Sequence, residues 1–181
     1  MARSSARAPI TPGQRTGNSY PLARGSECGP GFTDLSMYIG EADTTDIAAI
    51  HSLLAEAGLP IDDLKGSSKA RFLIAHDDDE TSGAVGLEVY GKSALLRSLV
   101  VKPEARKRGL GAQLMRELEC RAKNQGVDCL YLLTTTAEKF FAARGYHRLN
   151  RERVPQDIAA TTEFKLLCPS SAVCMRKQLG E

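Results

Sequence analysis

The sequence predicts one mixed α/β (or α+β) domain, a sheet with helices packed on it. The chain has 181 residues, of which 42% are hydrophobic and 25% charged, the size and composition of one ordinary globular domain. Strand-like and helix-like segments alternate along the chain. Two predicted strands, residues 93–101 and 128–135, are nearly continuous apolar runs, which is typical of strands covered on both faces. This combination favours a sheet with helices packed against it.

Residues 1–31 are predicted to form a disordered tail, and residues 32–181 the folded domain. The tail is rich in Ser, Pro, Gly and Arg, and residues 1–26 contain four arginines and no acidic residue. The tail shows neither strand nor helix periodicity, so it lacks the apolar area that would offset the entropy of ordering. A transit peptide has a similar composition, but the absence of an amphipathic stripe favours a polar extension.

Composition and short motifs argue against several function classes. The chain is +2 overall and residues 1–26 are +4, so the remainder is −2, which does not favour nucleic-acid binding. The three histidines and five cysteines show no CxxC pair and no HExxH spacing, so we expect no metal site. No run approaches the ~18 apolar residues of a membrane span, and no signal-peptide core is present. We therefore expect a cytoplasmic protein without a membrane partner.

The first elements are a strand and a helix. Residues 32–39 alternate partly between apolar and polar side chains and predict a strand. Apolar residues then recur at helical spacing from Ile47 to Ala57, and Gly58 suits a helix end. Asp43 or Thr44 can cap this helix.

A hairpin and a buried strand follow a short helix or turn at residues 60–66. Residues 71–77 and 84–91 predict the two antiparallel strands of the hairpin, and the polar residues 78–83 predict its turn. The apolar strand at residues 93–101 comes next.

The second half continues as helix, strand, helix and strand. The first of these helices carries one apolar stripe and ends at Gly126. The stripe consists of Leu110, Leu114, Leu118 and Ala122. The predicted elements that follow are the buried strand 128–135, a helix at 137–145, an extended segment at 146–149, an extra helix at 155–167 and a last strand at 171–177.

The junction between the strand 93–101 and the next helix has the chemistry of a phosphate site. Unpaired N–H groups at a helix start carry the positive end of the helix dipole and favour anions. Gly109 and Gly111 let the backbone approach a ligand, and the basic residues 106–108 add charge. The Walker and GxGxxG patterns are absent, which argues against nucleotide triphosphatases and dinucleotide-binding folds. A helix start with a solvated basic run remains the alternative.

The surroundings of this junction resemble a known family. Residues 101–111 carry the pattern V-x-P-x-x-R-x-x-G-x-G between a buried strand and an amphipathic helix, and the helix "AEKFFAARGY" follows further on. Over residues 32–177 the chain resembles the GCN5-related N-acetyltransferase (GNAT) family. The resemblance implies a mixed, mostly antiparallel sheet with a central splayed strand pair and helices on both faces. It also implies acetyl-CoA as the acetyl donor.

The resemblance assigns the acetyl-CoA site residue by residue. It implies that a free strand edge pairs with the pantetheine arm and that the loop and helix start hold the pyrophosphate. The backbone N–H of Val101 would stabilise the oxyanion of the tetrahedral intermediate. The edge residues are Leu99, Val100 and Val101, and the loop residues are Arg106, Lys107, Arg108, Gly109, Leu110, Gly111 and Ala112.

Several residues are candidates for the general base and the general acid. Glu88 is the candidate base that would deprotonate the acceptor amine, although it can also be a solvent-facing strand residue. Many family members have a tyrosine acid where this chain has Phe141. Either the thiolate leaves without a proton donor, or Tyr131 or Tyr90 supplies the proton. The missing tyrosine keeps a non-catalytic acyl-CoA-binding module as the alternative function.

The expected acceptor is the amine of a small molecule. Arg97 interrupts an apolar run and would clamp an anionic group of the substrate, with Thr134 and Thr135 offering hydroxyls across the cleft. The alternative is that Arg97 pairs with a core acid such as Glu88, which would remove both residues from direct substrate contact.

Within the family, the chain also resembles one particular branch. The segments "GLEVYG", "LLRSLVV" and "FKLLCPSSAVCM" are similar to the branch associated with arsenic resistance. This resemblance implies an amino-acid-like or arsenic-related toxin as acceptor. Cys168 and Cys174 can then bind arsenic through their thiols or pack in the core. The sequence does not decide between a monomer and a homodimer.

Overall fold

Within the computed structural model, which describes residues 37–64, 69–77 and 80–180, the strands form one sheet. Its order is β1-β2-β3-β4-β5-β7-β6, and β4–β5 is its one parallel pair. The mixed, mostly antiparallel sheet is as predicted. The strands are β1 Met37–Glu41, β2 Arg71–Asp77, β3 Glu80–Tyr90, β4 Ser93–Val101, β5 Cys129–Thr134, β6 His147–Arg148 and β7 Val173–Gln178. The predicted tail and residues 32–36 of the first predicted strand lie outside the described residues.

The helices cover both faces of the sheet. They are α1 Ile47–Glu56, α2 Leu110–Asn124, α3 Glu138–Ala142 and α4 Gln156–Ala159. Along β2, Leu73 packs in the same core cluster as α2, whereas Phe72 and Ile74 pack in the cluster of α1. Because successive strand residues point to opposite faces, α1 and α2 lie on opposite sides of the sheet. None of these described helices combines the length and apolar character of a membrane span.

The apolar patterns place the core as expected. The four residues of the predicted α2 stripe are at most 1% exposed. β4 has the bounds predicted from its apolar run, and its side chains enter the core clusters on both sheet faces. Its central position in the sheet explains why so few of its residues are polar.

The hairpin differs from the prediction, because β3 begins at Glu80 instead of Ala84. Thr81 pairs with His76 and Gly83 pairs with Ala75, so backbone pairing outweighs the turn-like composition of this segment. A side chain at Gly83 would bring its Cβ within 3.0 Å of the Val100 carbonyl oxygen. Close packing against β4 thus accounts for this glycine.

Two further local predictions are wrong in detail. The N-cap of α1 is Asp46, without a side-chain capping bond, while the Asp43 carboxylate accepts the Thr45 N–H at 2.7 Å. The predicted helix at 155–167 is broken into α4 and a π-helical turn, Glu163–Leu167. The buried hydroxyl of Thr161 donates to the Ile158 carbonyl at 2.8 Å, a local bond of the kind that competes with helix continuation.

Candidate functional site

β4 and β5 separate and open a cleft in the middle of the sheet. Their parallel pairing covers three residue pairs and ends at Leu95 with Tyr131. β4 continues to Val101 along β3, and β5 continues to Thr134 along β7. The two strands therefore diverge beyond Leu95, which is the splayed pair that was predicted.

A β-bulge on β4 lies next to the point of separation. Ala84 pairs with Val100 and Gly86 with Arg97, so two steps along β3 match three steps along β4. Ser98 has a left-handed φ of 56°. A bulge bends its strand and redirects the following residues, and here it lies where β4 leaves β5.

The backbone of Val101 faces the open edge of β4. The Lys102 N–H donates to the Ser82 carbonyl at 2.9 Å, toward β3. Successive peptide groups of a strand point to opposite edges, so the N–H and C=O of Val101 point away from β3. The carbonyl accepts a bond from Arg106 Nε at 2.9 Å. The amide of Val101 thus borders the cleft.

The loop after β4 turns tightly into α2. Lys107 has φ 63°, and Gly109 has φ 84° and forms the N-cap of the helix. The Gly109 carbonyl accepts the N–H groups of Ala112 and Gln113 at 3.0 and 3.1 Å. Left-handed backbone at Gly109 favours glycine, and a Cβ there would meet nothing within 4 Å. The Cα of Gly109 consequently faces open space at the start of α2.

A cavity of about 660 Å³, called the junction cavity, lies between this loop, β4 and α3. Nine of the ten predicted cofactor residues line it, namely Leu99, Val100, Val101, Arg106, Lys107, Gly109, Leu110, Gly111 and Ala112. Arg108 does not line it, and its Nη1 donates to Asp77 at 2.7 Å. The open glycine backbone and the cations fit an elongated anionic ligand such as a phosphorylated cofactor.

Sequence reasoning did not assign Phe140 or Arg144 to the cofactor site, and both line the junction cavity. The Arg144 guanidinium carbon lies 3.5 Å from the Phe140 ring centroid, and its Nη1 donates to the Phe140 carbonyl at 2.6 Å. Burial and the nearby charge of Arg116 lower the pKa of Arg144. The sequence feature that could have indicated Arg144 is its position directly before Gly145, the glycine that follows α3.

Arg97 lies at the centre of a buried group of charges, the Arg97 cluster, which comprises Arg97, Asp63, Glu88 and Glu163. Arg97 Nη1 donates to Glu88 Oε1 at 2.8 Å, and both terminal nitrogens contact Asp63. Arg97 Nε lies 3.2 Å from Glu163 Oε2. Arg97 is 3% exposed. These contacts match the alternative in which Arg97 pairs with core acids.

The two threonines predicted at the substrate site lie at and just after the end of β5. Among the described residues, no hydrogen bond joins Arg97 to Thr134 or Thr135. The Thr134 hydroxyl accepts the Ala137 N–H at 3.0 Å, at the start of α3. Thr136, the next hydroxyl along the chain, lines the junction cavity.

The candidate acids are held in packed or hydrogen-bonded positions. Phe141 is 5% exposed and packs edge-on against Phe140 and Tyr146, with ring centroids 5.2 and 5.6 Å apart. The Tyr90 hydroxyl donates to Glu88 Oε2 at 2.7 Å, and burial raises the pKa of Tyr90. Burial also raises the pKa of Tyr131 to about 12. Neither tyrosine is part of the junction cavity.

The cysteines singled out from the sequence belong to the packed interior and its margin. Cys174 is 3% exposed and packs with Leu95 and Tyr131, and burial raises its pKa to about 11. Cys168 lies near Glu163, with Sγ 3.8 Å from Oε1. Over residues 37–64, 69–77 and 80–180, no three His, Cys, Asp or Glu side chains are grouped as metal ligands would be.

Comparison with known proteins agrees with this geometry. Residues 68–148 match the family model of the acetyltransferase (GNAT) domain. The fold is similar to that of a GNAT-family acetyltransferase from Staphylococcus aureus Mu50, with a TM-score of 0.65 and 18% identity over 80% of this chain and 99% of that one. The chain therefore has a fold of the GNAT type, and residues 68–148 are similar to the acetyltransferase domain of that family.

Two further similarities involve amino-acid acetylation. The chain is 40% identical over 70 residues, 39% of its length, to an amino-acid acetyltransferase of Pseudomonas fluorescens, and the match spans 16% of that relative. N-acetylglutamate synthase from Neisseria gonorrhoeae, solved with coenzyme A and N-acetyl-glutamate, has a TM-score of 0.69 and 20% identity over 82% of this chain and 36% of that one. The chain thus corresponds to a fraction of each of these larger proteins.

Proposed function

We propose that the chain is an acetyl-CoA-dependent N-acetyltransferase that acetylates the amine of a small molecule. The junction cavity carries this proposal, because it joins a free strand edge, a glycine-rich helix start and basic side chains in one space. Acetyl-CoA needs all three features: hydrogen bonds for its extended pantetheine arm, N–H donors for its pyrophosphate, and cations for its charge.

The residues of the cavity divide between these parts of the cofactor. Leu99, Val100 and Val101 would pair with the pantetheine arm along the open edge of β4. The loop from Arg106 to Ala112 would hold the pyrophosphate, with Arg108 acting from outside the cavity. Phe140 and Arg144 form the wall opposite Gly111, since a Gly111 Cβ would lie 3.4 Å from the Phe140 ring.

Acetyl transfer then follows from the groups at the cleft. The acceptor amine attacks the thioester carbonyl, the C–N bond forms, and the C–S bond of the tetrahedral intermediate breaks. The Val101 N–H donates to the oxyanion. Glu88 accepts the proton that the acceptor ammonium must lose before attack. With Phe141 in the core, that position gives CoA no proton, so CoA leaves as the thiolate and the second proton lost by the attacking nitrogen passes to solvent.

We further propose an amino-acid-like acceptor, including arsenic-related toxins of that shape. The named relatives that acetylate amino acids and the similarity to the arsenic-resistance branch support this choice. Direct contact of Arg97 with such an acceptor requires Arg97 to release one of its carboxylate partners, so we assign Arg97 a positioning role. Thr134 and Thr135 stay candidates at the end of β5.

We propose that the catalytic domain spans residues 32–181, that the protein is cytoplasmic and that it forms a homodimer. Size-exclusion chromatography with light scattering measures the oligomeric state, and limited proteolysis locates the domain boundary.

The deciding experiment separates cofactor binding from turnover. CoA release from acetyl-CoA is followed with a thiol reagent against amino acids, organoarsenical and phosphorus analogues of glutamate, polyamines and peptides, and mass spectrometry identifies acetylated products. Calorimetry measures CoA binding in parallel. Glu88→Gln should bind CoA normally and lose turnover. Tight CoA binding without turnover on any acceptor would favour the non-catalytic module that the buried Phe141 suggests, and absence of CoA binding would overturn both functions.

A further inference from the structure

A second cavity, of about 460 Å³, lies on the sheet face opposite α2 and is called the acidic cavity. Its walls come from the turn at Asp62–Leu64, from β3 and from the segment between β6 and β7. Its lining residues are Asp63, Lys69, Glu88, Tyr90, Asp157, Ala160, Thr161 and Thr162. Three carboxylates thus face one ammonium group.

The Arg97 cluster behind this wall does not neutralise the excess of negative charge, because it adds one guanidinium and one further carboxylate. One guanidinium there is surrounded by three carboxylates, two of which also line the acidic cavity. Glu163 is 7% exposed, and its Oε2, although 3.2 Å from Arg97 Nε, has no hydrogen-bond donor. A guanidinium has five N–H donors, whereas three carboxylates offer about twelve acceptor sites. The cluster therefore offers more acceptor sites than donors, and Glu163 itself lies outside the cavity lining.

The other polar groups of the cavity do not fill this deficit. Lys69 Nζ lies 5.4 Å from the centroid of the Tyr90 ring, and the Tyr90 hydroxyl already donates to Glu88. Asp157 makes no hydrogen bond or ion pair with any described residue. The charge of Asp157 nevertheless contributes to raising the pKa of Tyr90. Asp157 is accordingly an available carboxylate on the wall beside Glu88.

The cavity lies at the level of the sheet where the cleft begins. Glu88 pairs with Leu95, the last residue of β4 that is paired with β5. Leu99, four residues further along β4, lines the junction cavity. An acceptor held against Glu88 would therefore lie beside the strand along which the acetyl donor is proposed to extend.

We propose that the acidic cavity binds the acceptor through a positive charge that stays on it during the reaction. The reacting amine must lose its proton and cannot balance the buried carboxylates. The acceptor chemistry that fits is therefore a diamine or a diamino acid, with the second ammonium group bound at Asp157. This inference rests on the proposed acetyltransferase function and selects, among the amino-acid-like acceptors proposed above, those with a second amine over the anionic analogues of glutamate.

The test compares binding and turnover in wild-type protein and two variants. Calorimetry measures the Kd of 1,4-diaminobutane and of lysine in the presence of CoA, with norleucine and glutamate as neutral and anionic comparisons. Asp157→Asn should weaken binding of both cations about fivefold, the range of a solvent-accessible ion pair, and leave the Kd of CoA unchanged. Glu152→Gln is the matched control, because Glu152 is an exposed acid of the same segment outside the cavity.

Each outcome decides one of the two proposals. Binding of the cations that depends on Asp157, together with their acetylation, supports both. The same binding with no acetylation of any amine supports the cation site and overturns the acetyltransferase function. The cation site is overturned if the protein prefers glutamate or norleucine, or if Asp157→Asn leaves cation binding unchanged. Acetylation of glutamate or norleucine would still support the acetyltransferase function.

Discussion

Arg97 Nη1 lies 2.8 Å from Glu88 Oε1, and this buried pair joins the sheet core to the wall of the acidic cavity. Glu88 is 7% exposed and its other oxygen accepts the Tyr90 hydroxyl at 2.7 Å. Two donors from neighbouring strand positions thus fix the carboxylate. The carboxylate proposed as the general base is therefore held in one orientation.

Replacing Arg97 with alanine should destabilise the protein strongly. The substitution leaves the carboxylates of Asp63, Glu88 and Glu163 without their cation, and removing one partner of a buried ion pair costs about 3–5 kcal/mol. Urea unfolding measures the change in the free energy of unfolding. Arg148→Ala is the control, because Arg148 makes an exposed pair with Glu138 and should have a small effect. Comparable losses in both variants would contradict the buried role of Arg97.

Replacing Glu163 with glutamine should stabilise the protein at high pH. Burial raises the pKa of Glu163 from 4.5 to about 7, more than the charge of Arg97 lowers it. The folded protein holds this proton where the unfolded chain has lost it, so the free energy of unfolding falls as pH rises from 4.5 to about 7. At pH 8 we expect Glu163→Gln to be more stable by about 1–3 kcal/mol.

The same variant should match wild type near pH 4, where Glu163 is protonated in both states. Urea titrations at both pH values measure this difference. Glu138→Gln provides a contrast, because Arg148 lowers the pKa of the exposed Glu138. The stabilisation from ionised Glu138 is present above its unfolded pKa and is lost as pH falls. Its pH dependence therefore has the opposite sign to that of Glu163. Loss of stability at pH 8 in Glu163→Gln would mean that its attraction to Arg97 outweighs burial.

Replacing Gly111 with leucine should block the junction cavity while preserving the helix. A Cβ at this position would lie 3.4 Å from the Phe140 ring and 3.7 Å from Val101 Cγ2, so a larger side chain must extend into the ligand space. We expect the Kd of CoA to rise about tenfold or more, the equivalent of roughly 1.4 kcal/mol. Calorimetry measures the Kd. The control Lys123→Leu adds the same side chain at an exposed position of α2 and should leave the Kd of CoA unchanged. If Gly111→Leu also left the Kd unchanged, the result would contradict the proposed cofactor site.

Replacing Phe141 with tyrosine should not create the missing acid. Phe141 is 5% exposed and packed between two aromatic rings, so a new hydroxyl would be buried without an evident partner, at a cost of about 1–3 kcal/mol. We expect a lower Tm and an unchanged kcat. In Phe140→Tyr the half-buried ring borders the junction cavity, and its hydroxyl should be tolerated better. A rise of kcat in Phe141→Tyr would show that the position reaches the leaving thiolate.

The junction was the most predictable part of the site because its chemistry is contiguous in sequence. Nine of the ten residues from Leu99 to Ala112 that were predicted to hold the cofactor meet in one cavity. Strand, tight turn and helix start follow one another there, so local spacing determines their geometry. Arg108 is the exception, since its side chain pairs with Asp77, 31 residues earlier.

The sequence by itself determined the order of elements, the core stripe of α2 and the bounds of β4, because periodicity reports which face of an element is buried. Only the tertiary structure decided which charges meet. Asp63 and Glu163 reach Arg97 from segments far away in the chain, and Arg144 joins the junction cavity through α3. No local sequence pattern encodes such partners, because a charged residue looks the same in a sequence whether its side chain is solvated or buried. Only the packing of distant elements removes water from that side chain.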